Sequence, residues 1–394
     1  MISDYKKRLS CAAVAGAAAY YGASKYVQDS KVQLIAGQND NEEEGIEKLL
    51  SQCPSLTSHE ARLLPTPYLC NGILQTIYCT KVALTTDMQS DVTYDRESMT
   101  MSDEGTVSLD WYPERSSMHE NGRTGKPIVL VIPGLGGSAY EYHVRCTVKR
   151  LADSLDVQTV VCNHRGSGRT PLTSPRLYNA YDTSDLQAII KYMGGKYPES
   201  RLLCVGYSLG ANLVTRYLGE FGDEAKLHGA VAISCPFDTF VAGKAMNARG
   251  YFNDWLFQPN LMATIKRVVR RNLQVVQSSP LNYDIDAVMR AKRMMEVDNL
   301  ITARAYGHRD CWDYYKAASS AEFVDDIRRP FLAINAEDDP VTPVDGVPQE
   351  RFAKNRMTAL ALVKHGGHIG FFTGLTPRIW YIDPVVEFIR AVLQ

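Results

Sequence analysis

No CxxC pair and no Cys/His spacing of the zinc type occurs in the 394 residues. This absence excludes a zinc finger and a dithiol redox site, and we expect no bound metal. Phosphate-cradling loops are missing as well, since neither a GxGxxG segment nor a P-loop spacing is present. We therefore expect no nucleotide and no other cofactor.

The chain also lacks an excess of charge of either sign, because 43 Lys and Arg balance 44 Asp and Glu to a net charge of −1. A protein that neutralises a phosphate backbone needs a basic surplus, so nucleic acid is not an expected partner. The 9 cysteines are an odd number. Cys162, Cys204 and Cys235 lie in or beside apolar runs, which favours buried thiols over a disulfide scaffold.

A long apolar run is missing too. Residues 9–23 are rich in alanine and follow Lys6, Lys7 and Arg8, but they are shorter than the ~20 apolar residues that cross a bilayer. An anchor or signal segment and a plain amphipathic surface helix both fit, so the pattern leaves a membrane-associated and a cytoplasmic location open. We predict that residues 1–62 hold this segment and a polar surface connector, ahead of a catalytic domain over 63–394.

Alternation of short apolar runs with helix-period segments dominates the rest of the chain. Strands are predicted at 77–84, 92–99, 107–111, 128–132, 157–162, 202–205, 230–234, 331–335 and 359–363, and helices at 140–152, 184–197, 209–218 and 385–393. Strands that alternate with helices indicate a mostly parallel sheet covered on both faces. The fold class is therefore α/β, opened by an antiparallel hairpin with its turn at 103–105.

Between about 240 and 325 the strands give way to helices. Such an insertion would lie over the carboxyl ends of the strands, where open α/β sheets bind ligands. We predict a helical lid here; helices that merely pack on the sheet edge are the alternative.

Gly206-Tyr207-Ser208-Leu209-Gly210 has the G-x-S-x-G form of a nucleophile elbow and stands between a predicted strand and a predicted helix. A serine on such a turn is held with its hydroxyl exposed, and glycines on either side avoid backbone clashes. Ser208 is therefore the candidate nucleophile.

A serine hydroxyl needs a base, and the base needs a carboxylate. Asp339 follows the strand predicted at 331–335 and is the preferred acid, with Asp338 as the alternative. His368 lies after the last predicted strand and is the preferred base, with His365 as the alternative. The chain order Ser, Asp, His is the one that α/β-hydrolases use, so we predict that the mostly parallel sheet has the α/β-hydrolase fold.

Acyl transfer also needs N–H donors for the developing oxyanion. Pro133-Gly134-Leu135-Gly136-Gly137 follows a predicted strand, and we predict the backbone N–H groups of Leu135 and Leu209 as these donors. His308 and Asp313 stand in an HxxxxD spacing, which we interpret as coincidence. Arg165 is expected to make structural loop contacts.

As a set, these segments make the chain from about residue 128 onward similar to the AB hydrolase-4 family of serine hydrolases, which includes ABHD-type lipid hydrolases and fatty acid ethyl ester synthase/esterases. The resemblance is carried by residues 133–137, 163–166, 206–210, 235–238, 313–315 with 319–320, 338–340 and 366–370. One departure is His164, where the family commonly has an aromatic residue.

The resemblance implies a serine esterase or lipase that cleaves short- to medium-chain acyl esters, such as fatty acid ethyl esters or monoacylglycerols. Water or an alcohol would accept the acyl group, so ester synthesis is possible alongside hydrolysis. Family members are often membrane-associated through an N-terminal segment. A non-catalytic α/β-hydrolase domain that binds a lipid or a protein is the alternative from another class.

Overall fold

The computed structural model describes residues 30–38, 45–82, 92–115 and 125–394. The alanine-rich segment at 9–23 lies outside these residues. In the described ranges no helix combines the length and the apolar character that a membrane span requires.

A nine-stranded sheet, in the order β1-β9-β8-β7-β6-β4-β5-β3-β2, forms the centre of the molecule. Six of its strands are parallel, from β5 through β4, β6, β7 and β8 to β9. The α/β-hydrolase prediction is thereby confirmed. The strands are β1 Gln33–Ala36, β2 Asp95–Thr100, β3 Thr106–Tyr112, β4 Ile128–Ile132, β5 Gln158–Asn163, β6 Leu202–Tyr207, β7 Gly229–Ile233, β8 Phe331–Ala336 and β9 Thr358–Val363, with a separate pair β10 Phe372–Thr373 and β11 Arg378–Ile379.

The helices lie on both faces of this sheet and in one long insertion. They are α1 Ile46–Leu50, α2 Pro54–Thr57, α3 Gly72–Ile77, α4 Tyr142–Ser154, α5 Ser184–Lys196, α6 Leu209–Phe221, α7 Thr239–Asn247, α8 Gln258–Arg271, α9 Leu273–Gln277, α10 Ile285–Arg290, α11 Met294–Val297, α12 Ala303–Ala305, α13 Cys311–Ala318, α14 Gln349–Lys354 and α15 Ile382–Leu393. π-helical turns cover Tyr78–Val82, Phe252–Phe257 and Asp298–Thr302.

Alternation along the buried strands divides the core into two layers. In β4, Val129 and Val131 join the cluster formed with α4 and α15, whereas Ile128, Leu130 and Ile132 join the cluster formed with α5, α6 and α14. Because both faces are covered, every residue of β4 is buried. This explains why the sequence of β4 is continuously apolar rather than alternating.

The predicted surface connector over 30–62 does not match the described part of that region. β1 pairs antiparallel with β9 at the edge of the sheet, and Ile46, Leu50 and Leu56 are buried in the core beside α15. The acidic residues of this stretch masked a helix-spaced apolar set. The hydrolase fold therefore extends N-terminally beyond the boundary expected at residue 63.

The strand predicted at 77–84 is also wrong in its described part, 77–82. α3 ends at Ile77 and a π-helical turn follows it. Asn71 caps α3, since its side chain accepts the Leu74 N–H at 3.0 Å. Ile, Thr, Tyr and Val favour strands on propensity, but tertiary contacts override that preference here.

Candidate active site

The turn between β6 and α6 holds Ser208 in a backbone conformation that side chains rarely adopt, with φ 50° and ψ −118°. Ordinary residues could not replace the glycines beside it. A Cβ on Gly206 would lie 2.6 Å from the Ala211 Cα, and a Cβ on Gly210 would lie 2.3 Å from the Ile132 oxygen. The sequence folds into this sharp strand-to-helix turn because both glycines permit close backbone approach.

His368 lies on the loop after β9 and bridges the hydroxyl of Ser208 to a carboxylate. Its Nε2 is 2.8 Å from Ser208 Oγ, and its Nδ1 is 2.8 Å from Asp339 Oδ2. The carboxylate accepts, so Nδ1 carries a proton and a neutral imidazole has Nε2 free to accept from the serine. This chain of contacts is the arrangement that activates a serine hydroxyl.

The carboxylate of Asp339 is fully buried and held by its own turn. It accepts the backbone N–H groups of Val341 at 2.7 Å and Thr342 at 2.9 Å, and the Thr342 hydroxyl at 2.6 Å. These donors satisfy the buried charge and fix the oxygen that faces His368.

Asp338 and His365, the alternatives from the sequence, form a separate pair at the same loop. His365 Nδ1 is 3.3 Å from Asp338 Oδ2, and Asp338 Oδ1 accepts the N–H groups of Gly366 and Gly367, each at 2.9 Å. Asp338 therefore shapes the loop that carries His368. Neither Asp338 nor His365 has a hydrogen bond to Ser208 among the described residues.

The loop after β4 lies directly over the nucleophile. A Cβ on Gly134 would be 3.1 Å from Ser208 Cβ and 3.7 Å from Ser208 Oγ. Leu135 follows Gly134, and Leu209 is the first residue of α6, where backbone N–H groups have no partner within the helix. Both predicted oxyanion donors thus belong to segments that border the serine.

His164 supports this same loop. Its Nε2 lies 3.1 Å from the Pro133 carbonyl oxygen, which can only accept, so Nε2 carries the proton. Its ring stacks on Tyr178, and burial lowers the pKa of His164 to about 4. The residue that departs from the family pattern therefore stays neutral and packs against the loop that holds the predicted donor Leu135.

Sequence reasoning missed the residues that hold the His368 loop from outside. The His368 N–H donates to Thr76 Oγ1 at 2.8 Å, and the Ile369 N–H donates to Ser234 Oγ at 2.9 Å. Thr76 lies in α3, one residue before the strand predicted at 77–84. The capping residue Asn71 was the one local signal for a helix at this place.

Arg165 makes the loop contacts expected of it. Its guanidinium forms ion pairs with Asp103 at 2.6 Å and Asp185 at 2.7 Å. His308 Nδ1 and Asp313 Oδ2 lie 3.8 Å apart on the insertion, and Asp313 belongs to the first turn of α13. Neither has a hydrogen bond to Ser208, Asp339 or His368 in the described ranges.

Comparison with known proteins places these features in context. The family described as alpha/beta hydrolase fold matches residues 127–375. The chain is 31% identical to "Monoacylglycerol lipase" of Saccharomyces cerevisiae, over 68% of this chain and 60% of that protein. It is 32% identical to "Phospholipase ABHD3" of Mus musculus, over 77% and 73% of the two chains. It is 26% identical to "Medium-chain fatty acid ethyl ester synthase/esterase 2" of Saccharomyces cerevisiae, over 94% of each.

Proposed function

Because this chain belongs to the α/β-hydrolase fold family, we propose that it is a serine esterase or lipase that cleaves acyl esters through an acyl-enzyme on Ser208. The observation that carries the proposal is the continuous contact from Ser208 Oγ through His368 to Asp339, with 2.8 Å at each step. Ser208, at the start of this chain of contacts, lies on a strained strand-to-helix turn. A non-catalytic binding domain would have no need of that strain or of a buried carboxylate behind the histidine.

Acylation begins when Ser208 Oγ attacks the ester carbonyl carbon. Its proton moves to His368 Nε2, and Asp339 stabilises the imidazolium that forms. The carbonyl oxygen becomes an oxyanion, to which the N–H groups of Leu135 and Leu209 donate. When the C–O bond to the alcohol breaks, His368 returns the proton to the leaving oxygen.

Deacylation runs the same steps with a new nucleophile. Water gives its proton to His368 Nε2 and attacks the acyl carbon. When the second oxyanion collapses, the bond from the acyl carbon to Ser208 Oγ breaks, His368 returns the proton to Ser208 Oγ, and the acid is released. An alcohol in place of water would yield an ester. The proposal therefore includes both hydrolysis and alcoholysis on one set of residues.

The substrate class is drawn from the relatives. Their printed names describe a monoacylglycerol lipase, a phospholipase and a fatty acid ethyl ester synthase/esterase, and all three act on acyl esters of lipids. Fatty acid ethyl esters and monoacylglycerols with short to medium acyl chains are the proposed substrates. The chain matches only 60% of the length of the monoacylglycerol lipase. The activity of that whole protein is therefore proposed for this chain. Association with membranes and gating by the insertion between β7 and β8 belong to the same proposal.

The test measures hydrolysis of p-nitrophenyl esters across acyl lengths, together with labelling by a fluorophosphonate, for the whole chain and for Ser208→Ala. Loss of both signals in the variant supports Ser208 as nucleophile, and the length series gives the acyl preference. Ser278→Ala, at an exposed serine of the insertion, is the matched control and should retain both signals. A wild-type chain that neither labels nor turns over would overturn the enzyme proposal in favour of a lipid- or protein-binding domain.

The acceptor is tested separately by adding ethanol to the same assay. Ethyl ester should form in proportion to ethanol if alcohol competes with water at the acyl-enzyme. Release of free acid alone at every ethanol concentration would restrict the function to hydrolysis.

A further inference from the structure

The insertion between β7 and β8 presents an exposed face that no other described element covers. It begins at Tyr251 and Trp255, whose side chains are 75% and 73% exposed. Exposed residues then recur at nearly every helical turn of α8, at Pro259, Ala263 and Arg267. Such spacing places them along one side of the helix. Large aromatic side chains that are exposed to solvent indicate a surface that binds a partner.

The carboxyl end of this face is strongly basic. A groove along α8 is lined by five cations, which are Lys266, Arg267, Arg270, Arg271 and Lys292. The one carboxylate in that lining, Asp254, is already engaged by Arg293 and Arg249. Within the described residues no acidic side chain lies in ion-pair distance of the five. A concentrated positive patch on a chain of net charge −1 attracts an anionic surface.

A side of α8 next to the exposed one packs against the active-site loops, because Thr264 and Val268 directly follow exposed Ala263 and Arg267. A Cβ on Gly136 would lie 2.9 Å from the Thr264 methyl group, and a Cβ on Gly166 would lie 2.9 Å from a Val268 methyl group. Gly136 follows the predicted oxyanion donor Leu135 directly. α8 therefore contacts the loop over Ser208 and, next to that contact, exposes Arg267, Arg270 and Arg271, while the exposed aromatic residues lie in the turn before the helix.

We propose that this face, from Tyr251 through Arg271 with Lys292, docks on an anionic phospholipid surface. Trp and Tyr suit the boundary between headgroups and acyl chains, because their rings combine an apolar body with a polar atom. Lys and Arg beside them bind the lipid phosphates and carboxylates. A groove that binds nucleic acid would interleave aromatic and basic residues. On this face the exposed aromatic residues and the basic residues lie at separate ends.

Docking in this orientation would bring the lipid surface to the outer side of the helix that covers the ester site. This benefit of docking rests on the proposed function, because a lipid surface beside α8 would supply a lipid ester to Ser208 only if the protein cleaves such esters. Vesicle binding itself needs no catalysis. Its measurement therefore stands or fails independently of the esterase assay.

The test is flotation of the whole chain with phosphatidylcholine vesicles that contain or lack phosphatidylserine. The wild-type chain should bind the vesicles with phosphatidylserine and bind those without it far more weakly. The triple variant Arg267→Gln, Arg270→Gln, Arg271→Gln should lose affinity on the order of a hundredfold. The matched control, Lys191→Gln, Lys226→Gln, Lys354→Gln, removes the same charge from other exposed sites and should bind like the wild type. Equal unfolding midpoints in the two triple variants verify that both are folded.

Tryptophan fluorescence gives a second readout. Emission of the wild-type chain should shift to shorter wavelength with the anionic vesicles, as the indole of Trp255 enters the interface, and Trp255→Phe should bind without most of that shift. Equal binding by the Arg and Lys triple variants would overturn the proposal, as would equal binding to both vesicle types. If the wild-type chain binds a duplex oligonucleotide but no vesicles, and the Arg variant loses that binding, the partner of this face is nucleic acid and the lipid proposal is wrong.

Discussion

Neighbouring residues of the same type have different tasks at this site, and their hydrogen bonds separate them. Asp339 and Asp338 are adjacent in sequence, yet the first faces His368 and the second holds the N–H groups of Gly366 and Gly367. The two side chains leave the turn in different directions. Sequence alone narrowed the acid to this pair, and only the path of the turn decides which oxygen meets the imidazole.

Amidation of the two aspartates should therefore have unequal effects. We expect Asp339→Asn to lower kcat by about 10⁴-fold, because an amide disfavours the imidazole tautomer that accepts the Ser208 proton. Asp338→Asn should remain within about tenfold, since its amide oxygen still accepts loop N–H groups. Steady-state hydrolysis of one p-nitrophenyl ester by both variants provides the comparison. Equal losses would show that Asp338 takes part in the proton relay.

A buried histidine should make stability depend on pH. Burial, with a smaller contribution from nearby His368, lowers the pKa of His143 from 6.5 to about 3. The unfolded chain takes up this proton below pH 6.5 and the folded chain only near pH 3. The stabilising contribution is thus complete above 6.5 and is lost as the pH falls toward 3.

When the pH is lowered from about 7 to about 5, His143 should reduce the free energy of unfolding by about 2 kcal/mol. His143→Leu should show correspondingly less loss over the same interval, measured by urea unfolding. Burial raises the pKa of Asp298 to about 6, so protonation of Asp298 makes the fold more stable as the pH falls. This effect is the same in the wild type and in the variant, and it cancels in the difference between them. Parallel pH profiles for the two proteins would contradict the assignment to His143.

At the level of elements, the site is completed by α3, a helix that the sequence pattern did not predict. α3 lies against the loop that carries His368, so closely that a Cβ on Gly367 would be 2.2 Å from the Gly72 oxygen. Its buried Gln75 also bonds the chain beyond that loop, accepting the Phe372 N–H. The strands of the sheet were predictable because burial on both faces leaves a continuous apolar run. α3 was not, because its polar residues are buried by specific hydrogen bonds that no periodicity reveals.

α3 should therefore contribute to catalysis through position. Thr76→Val removes the acceptor of the His368 N–H while keeping the volume of the side chain, and we expect kcat/KM to fall roughly ten- to hundredfold. Thr76→Ser, which restores the hydroxyl, should recover most of the activity. The rate of fluorophosphonate labelling of Ser208 should follow the same order. A valine variant as active as the serine variant would show that the loop is held by its other contacts.

The whole molecule is larger than the segment that carries the motifs. The family match begins at residue 127, while β1 and α1 join the same sheet and the same core from a region that reads as polar. The acidic residues that precede α1 in the sequence, together with Glu47, hid Ile46 and Leu50, which are four positions apart and buried. Motifs locate catalytic residues well because chemistry fixes them. They locate domain edges poorly because a surface strand or helix needs only a few apolar residues.

A chain that begins at residue 63 should consequently fail to stay folded as a monomer. It would lose β1, expose β9 as an open edge strand and uncover the side of α15 that α2 covers. Glu387 would also lose the Ser55 hydroxyl and N–H, which bond it at 2.8 Å and 3.0 Å. Each large apolar side chain removed from the core contributes about 1.5–3 kcal/mol, so the loss approaches the usual stability margin of about 5–15 kcal/mol. Size-exclusion chromatography and dye binding should report aggregation and exposed apolar surface in the shortened chain. A shortened monomer with the unfolding midpoint of the whole chain would mean that the region up to residue 62 is an appendage to the fold.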